Sequence, residues 1–211
     1  MRILLTGGSG GIGKSIYNKF ISNGHEVIAP TREELNLLSP VVLSDTEYDI
    51  IINNAGINPL HDITDLYPEQ IMRVNYLSPL EIIQQCIPHM KRGNYGRIIN
   101  IGSIWIDFAK PKRHFYSASK NALHALTKSI ASEYSEYNIL CNTVSPGYIR
   151  TAMTYINNKP EDIDKIQKDI PQQRLGEPHE VADLIYFLTI NNTYITGQNI
   201  TIDGGFSCSV L

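Results

Sequence analysis

The sequence predicts an α/β protein, a doubly wound parallel β-sheet flanked by helices on both faces. Three observations lead there. Short β-rich runs alternate with longer helical stretches. A glycine-rich turn joins the first run to the first helix. At 211 residues and 42% apolar content, the chain can bury a substantial core without disulfides or metals. Residues 2–5 read as the first strand, and a helix over residues 12–23 follows the turn. Gly24 ends that helix, because glycine tolerates the left-handed conformation needed there. Residues 26–29 are the second strand, and 49–52 and 97–101 are buried strands. Between those two, a helical stretch from 68 to about 90 is interrupted at Pro79, which predicts a kink. Residues 116–137 are helical, 139–144 form a strand, 179–188 form a helix, and 199–202 complete the sheet. With no internal repeat, low-complexity segment or linker, residues 1–211 read as one domain.

Composition excludes several classes of function. A net charge of -3 leaves no basic footprint, so nucleic acid is not an expected partner. No apolar run approaches the length of a membrane span. Met1 and Arg2 lead straight into Ile3-Leu4-Leu5, a strand rather than a signal peptide. Cys86, Cys141 and Cys208 are odd in number and lack a CxxC arrangement, as expected of reduced, packing thiols in a cytoplasmic protein. The six histidines have no ligand spacing, and no metal is expected.

The turn reads Thr6-Gly7-Gly8-Ser9-Gly10-Gly11-Ile12-Gly13. Lying between a strand and a helix, it has the context in which such a loop binds phosphate and identifies the sheet as Rossmann-type. Gly7 permits the tight turn, Gly11 lets the backbone approach a pyrophosphate, and Gly13 allows close packing of helix on sheet. Free N–H groups and the helix dipole then face the anion. After the second strand come Thr31 and Arg32, with no carboxylate to receive the ribose hydroxyls. A guanidinium there favours NADP(H), with NAD(H) as the other candidate. The plainer alternative makes Arg32 a solvated residue pairing with Glu33 or Glu34. Seventeen residues separate Thr31 from Asp49, too few for a full helix-strand-helix crossover. A brief third strand at Leu35-Asn36-Leu37, flanked by vestigial helices, is expected to leave a shortened segment between the second and fourth strands.

Tyr116 and Lys120 are four apart on a predicted helix and so share one face. A lysine ammonium beside a phenol lowers its pKa and makes tyrosine a general acid for carbonyl reduction, or a base for alcohol oxidation. Ser103 lies just beyond the strand over 97–101, at the carboxyl edge where parallel sheets bind ligands. Its hydroxyl can stabilise a substrate oxygen as charge develops there. The spacing alone is unspecific: with 12 Tyr and 10 Lys in 211 residues, chance supplies roughly half a match. A second match, Tyr155 and Lys159, spans Asn157-Asn158 and abuts Pro160, so it reads as loop.

With these residues in place, the chain resembles the short-chain dehydrogenase/reductase family over nearly its whole length. Thr6-Gly7-x-x-x-Gly11-Ile12-Gly13 is similar to that family's cofactor loop, and Asn53-Asn54-Ala55-Gly56 to its NNAG motif. The resemblance implies that Asn54, Ala55 and Gly56 flank the adenosine, that Asn75 helps hold a proton-relay water, and that Asn75, Ser103, Tyr116 and Lys120 form a catalytic tetrad. It implies that Pro146, Gly147, Ile149 and Thr151 cradle the nicotinamide, with Lys120 reaching its ribose. Asn36, beside Leu37 on the adenine side, stands where relatives carry an aspartate.

Lys110, Lys112, Arg113 and His114 form a basic cluster just before Tyr116, in the loop expected to border the substrate. Such runs are usually solvated; the sharper alternative is an anionic substrate. Residues 151–173 are expected to form a lid, and Trp105, Phe108 and Met153 either line an apolar pocket or serve as packing. The function expected is NADPH-dependent reduction of a keto group in a small molecule, closest in pattern to 3-oxoacyl-[acyl-carrier-protein] reductases. The acidic helix end at Glu133-Tyr134-Ser135-Glu136-Tyr137 weakens the carrier-protein version, because an acidic carrier is repelled there. Oxidoreduction of a sugar or other polar metabolite is the second reading, and a non-catalytic nucleotide sensor on the same fold the third. The resemblance also implies a homotetramer or homodimer.

Overall fold

The computed structural model describes residues 1–209. Six strands form one parallel sheet: β1 (Arg2–Thr6), β2 (Glu26–Ile28), β3 (Ile50–Asn53), β4 (Gly96–Ile101), β5 (Ile139–Pro146) and β6 (Asn199–Ile202). They lie in the order β2-β1-β3-β4-β5-β6. This is a doubly wound order whose outermost edge strand is missing. The expected third strand is corrected here: residues 35–37 lie in turns, and Leu35 and Leu37 pack from there against the core. Too little chain is present to leave the sheet, pair and return.

Alternation along the strands divides the core into two layers. Ile3, Leu5, Ile50, Ile52 and Ile99 face one side, where α1 (Gly11–Ser22) contributes Ile16 and Phe20. On that side α7 (Pro178–Tyr186) adds Val181, Ala182 and Ile185. Leu4, Ile51, Ile98 and Cys141 face the other side, covered by α3 (Ser78–Gly93) and α4 (His114–Tyr134). A buried polar seam fixes register within the sheet. Asn53 Nδ2 donates to Asn100 Oδ1 (2.8 Å), its neighbour across β3 and β4, and Asn100 Nδ2 donates to Thr127 Oγ1 (2.9 Å). Cys86 and Cys141 are buried as expected, whereas Cys208 is exposed.

The kink ahead of α3 is a π-helical turn. The short α2 (Glu69–Met72) passes into a wide turn over Arg73–Leu77, and α3 begins one residue before Pro79. Proline cannot donate to the carbonyl four residues back, so the ladder is looser just before it. Asn75 sits in this wide turn. Residues 151–173, expected as a lid, hold α5 (Ala152–Ile156) and α6 (Pro160–Asp169), and α8 (Phe206–Ser209) follows β6. Ile163, Ile166 and Ile170 pack with Ile104, Leu175 and Phe206 in a third cluster.

Candidate functional site

Where the strand order reverses between β1 and β3, the carboxyl ends of the strands open on a cleft of about 750 Å³. The glycine loop forms one wall. Gly7 has φ +68°, the left-handed region that a side chain resists. A Cβ on Gly13 would collide with the Gly7 carbonyl oxygen and come within 2.6 Å of Asn54 Nδ2. Gly7, Ser9, Gly10, Gly11 and Ile12 line the cleft. Gly8 and Gly13 do not: Gly8 faces Ala29 and Gly13 packs beneath the loop. The first turn of α1 carries no side-chain cap and no acidic residue, so its N–H groups are left for an anion. Asn54 Nδ2 donates to the carbonyls of Thr6 (3.0 Å) and Gly7 (2.9 Å), while Thr6 Oγ1 accepts from the backbone N–H of Asn54 and Ala55 (both 3.1 Å). These bonds tie the ends of β1 and β3 into one rim, with Ala55 and Gly56 beside it on the cleft.

At one end stand Thr31, Arg32, Asn36 and Leu37. Glu34 is engaged by Thr31, whose N–H donates to its carboxylate (2.8 Å), and the Glu34 N–H donates to Thr31 Oγ1 (3.3 Å). Among the described residues no ion pair joins Arg32 to Glu33 or Glu34, so the pairing of the plainer alternative does not form. Asn36 Oδ1 accepts from the Leu38 N–H (3.0 Å), and the Leu37 carbonyl accepts from Ser78 Oγ (2.8 Å). Pro146, the last residue of β5, and Gly147, Ile149 and Thr151 beyond it line the opposite side.

Ser103, Tyr116 and Lys120 meet at the middle of the cleft, and all three are buried. Ser103 Oγ accepts from the Trp105 N–H (3.3 Å), which leaves its own proton to donate toward Tyr116 and the cleft. Lys120 Nζ donates to the Ile101 carbonyl (2.6 Å) and lies 5.7 Å from the Tyr116 ring centroid. A methyl group built on Gly56 would lie 3.3 Å from Asn75 Oδ1 and 3.4 Å from Lys120 Nζ, so these two groups converge behind the cleft. Asn75 does not line the cleft. Its carboxamide accepts from the Ile57 N–H (2.9 Å) and donates to the Ile57 carbonyl and Ser119 Oγ (both 3.0 Å).

The electrostatics differ from the sequence expectation. Lys120 does not hold the phenol of Tyr116 low; burial pushes that phenol up, and Ser103 and the Arg113 guanidinium act the other way. Burial also brings the Lys120 ammonium down to about 8. Desolvation disfavours the charged form of both groups.

The second Tyr/Lys pair takes no part. Tyr155 is exposed on α5 and accepts from Arg150 Nη1 (3.3 Å), while Lys159 lies beyond the end of that helix. Trp105 and Met153 line the cleft as expected, but Phe108 turns away to pack on the third cluster. The basic cluster is not uniformly solvated: Lys112 is exposed, Lys110 half-buried and Arg113 4% exposed. Arg113 reaches the cleft together with Tyr148, Asn157 and Asn158. Sequence reading put Arg113 in the loop expected to border the substrate and Asn157 and Asn158 inside the expected lid, but gave Tyr148 no role.

Residues 41–207 match the model of a family described as enoyl-(acyl carrier protein) reductase. The chain is 32% identical to the 3-oxoacyl-[acyl-carrier-protein] reductase FabG of Thermotoga maritima, over 96% of each chain. Among solved structures, aldohexose dehydrogenase of Thermoplasma acidophilum in ligand-free form is similar at TM-score 0.89 and 27% identity, covering 99% of this chain and 94% of that one. ElxO with NADP bound is similar at TM-score 0.86 and 27% identity, covering 98% of each. The chain belongs to the short-chain dehydrogenase/reductase family and is an NAD(P)-dependent oxidoreductase acting on CH–OH and C=O groups.

Proposed function

We propose that this protein uses NADPH to reduce a keto group of a 3-oxoacyl-like small molecule to a secondary alcohol. The observation that carries the reading is the convergence of Ser103, Tyr116 and Lys120, all buried, on the cleft that the glycine loop opens. The residues present suit a dinucleotide. Uncapped N–H groups of α1 suit the pyrophosphate, Arg32 suits a 2′-phosphate, and Ile149 and Thr151 flank the nicotinamide side. Arg32 therefore favours NADP(H), with NAD(H) the weaker cofactor. When bound, the reduced nicotinamide supplies a hydride to the carbonyl carbon.

Tyr116 Oη gives its proton to the carbonyl oxygen as negative charge develops, leaving a phenolate. Ser103 Oγ donates to the same oxygen, its lone pair already held by the Trp105 N–H. Lys120 returns the proton to the phenolate, and an ammonium held near 8 can release one close to neutral pH. Asn75 is assigned the holding of a relay water beside Lys120 and, through Ile57, the shape of the adjoining loop. Residues 151–173 serve as lid on a domain spanning 1–211. The protein is assigned to the cytoplasm as a homodimer or homotetramer, assembled through α3 and α4, where Leu80, Ile83, Ile87, Leu126 and Ile130 border a groove that Gln84, Lys91 and Glu133 also line.

A polar-metabolite substrate is the second reading. It is favoured by the similarity to aldohexose dehydrogenase and by the carboxamides of Asn157 and Asn158 on the cleft wall. NADPH oxidation with acetoacetyl-CoA tests the first reading, with crotonyl-CoA as the enoyl control. Reduction of acetoacetyl-CoA but not crotonyl-CoA supports a 3-oxoacyl reductase. Turnover of crotonyl-CoA alone overturns the keto assignment, and turnover of neither while an aldose reacts moves it to the second reading.

A further inference from the structure

Arg113 differs from every other buried cation among the described residues. It is 4% exposed, yet its Nε and Nη1 have no hydrogen-bond partner. Arg97, equally buried, leaves only Nε without a partner and gives Nη1 to the carbonyls of Gly96 (2.8 Å) and Asn138 (2.7 Å), and Lys120 gives Nζ to Ile101. Arg2, Arg73, Arg150 and Arg174 each meet a carboxylate. A guanidinium with two desolvated, unpartnered nitrogens is costly, and such a residue marks a place where a ligand completes the structure.

Its surroundings say what kind of ligand. The cleft is lined by three cations, Arg32, Lys120 and Arg113, and by no aspartate or glutamate. Arg32 stands at one end and Lys120 at the centre; Arg113 lies beside Tyr148 and Tyr116, and both phenols feel its charge. Behind Tyr148, Lys110 Nζ donates to Tyr148 Oη (2.9 Å) and Asn158 Oδ1 (3.3 Å), adding a second positive charge held by neutral partners. Among the described residues no carboxylate pairs with either cation. Arg113 is the N-cap residue of α4 and stands three residues before Tyr116, whose phenol feels its charge, so both side chains leave the same end of that helix.

We propose that Arg113 is a carboxylate receptor and that the substrate is a short oxo acid, its carboxylate on the guanidinium fork and its carbonyl at Tyr116 and Ser103. The planar fork matches the two coplanar oxygens of a carboxylate. With receptor and tyrosine at the same end of α4 and on the same cleft, the substrate has room for only a few bonds between its two groups. This inference rests on the reductase reading and narrows it to the free 3-oxo acid, or an acid of similar length, in preference to a neutral thioester.

The test is calorimetric binding to the NADP⁺-saturated enzyme, where no reduction occurs, using acetoacetate and 4-oxopentanoate against their methyl esters. The wild-type protein is expected to bind at least one acid tenfold or more tighter than its ester. Arg113→Gln is expected to bring that ratio close to one, and Arg113→Lys to keep part of it. Equal binding of acid and ester, absence of binding by both acids, or a ratio that survives in Arg113→Gln overturns the proposal. If Arg113→Gln does not fold, the wild-type ratio decides alone. NADPH turnover is read separately. Acid-selective binding with no turnover of any carbonyl defeats the reductase reading and leaves the receptor standing, whereas turnover without acid selectivity does the reverse.

Discussion

Replacing Lys120 with methionine separates what the lysine does for chemistry from what it costs the fold. Burial takes its ammonium from 10.5 to about 8. At 1.36 kcal/mol per pH unit, holding the charge inside costs about 3 kcal/mol. Between pH 8 and 10.5 the unfolded chain keeps this proton and the folded chain does not, so stability rises with pH through that window. The cost is fully present below pH 8 and gone above 10.5. Methionine keeps the length of the stem and removes the charge, but it strands the Ile101 carbonyl, a loss of about 1–3 kcal/mol. Lys120→Met is therefore expected to equal or exceed wild type by up to about 2 kcal/mol at pH 7, and to fall below it by about 1–3 kcal/mol at pH 10.5. Urea denaturation of both proteins at half-unit steps from pH 7 to 10.5 measures the difference directly, and other titrating groups largely cancel in it. A difference that stays constant across the window refutes the assignment of the cost to a desolvated lysine.

Other consequences are as specific. Gly13→Ala drives a methyl group into the Gly7 carbonyl and Asn54 Nδ2. It is expected to destabilise the fold by about 1–3 kcal/mol in urea titration and to weaken NADPH binding more than about tenfold by fluorescence. Arg32→Ala removes a charge-assisted contact of about 1.5–3 kcal/mol, so the ratio of kcat/KM for NADPH over NADH is expected to fall about tenfold or more. Asn54→Ala frees two carbonyls at the rim, those of Thr6 and Gly7. A loss of about 1–3 kcal/mol in stability, with weaker NADPH binding, is the outcome expected from parallel denaturation and titration.

Much of this architecture was legible in the sequence because the signals are local and periodic. Strands such as Ile50–Asn53, buried on both faces, announce themselves as apolar runs, and the glycine loop is framed by its strand and helix. The residues around 35–37 misled because Leu35 and Leu37 are apolar in alternation, a pattern that a turn laid over the core also produces. The wide turn at Arg73–Leu77 has no local signature beyond the proline that follows it. Ser103, Tyr116 and Lys120 were found by spacing, but their electrostatics were not, because desolvation is a property of the assembled site. Arg113 was misjudged for the same reason. A basic residue within a run of basic residues looks solvated until the loop bearing it closes over Tyr148 and the cleft.

The central claim is that Tyr116 supplies the proton in a cleft whose cofactor seat is independent of its hydroxyl. The most direct measurement compares Tyr116→Phe with wild type in two readouts, NADPH affinity by fluorescence titration and kcat on the best ketone substrate. Affinity within twofold and a kcat lowered by about 10²–10⁴ is the predicted result. A kcat that survives the loss of the hydroxyl contradicts the account.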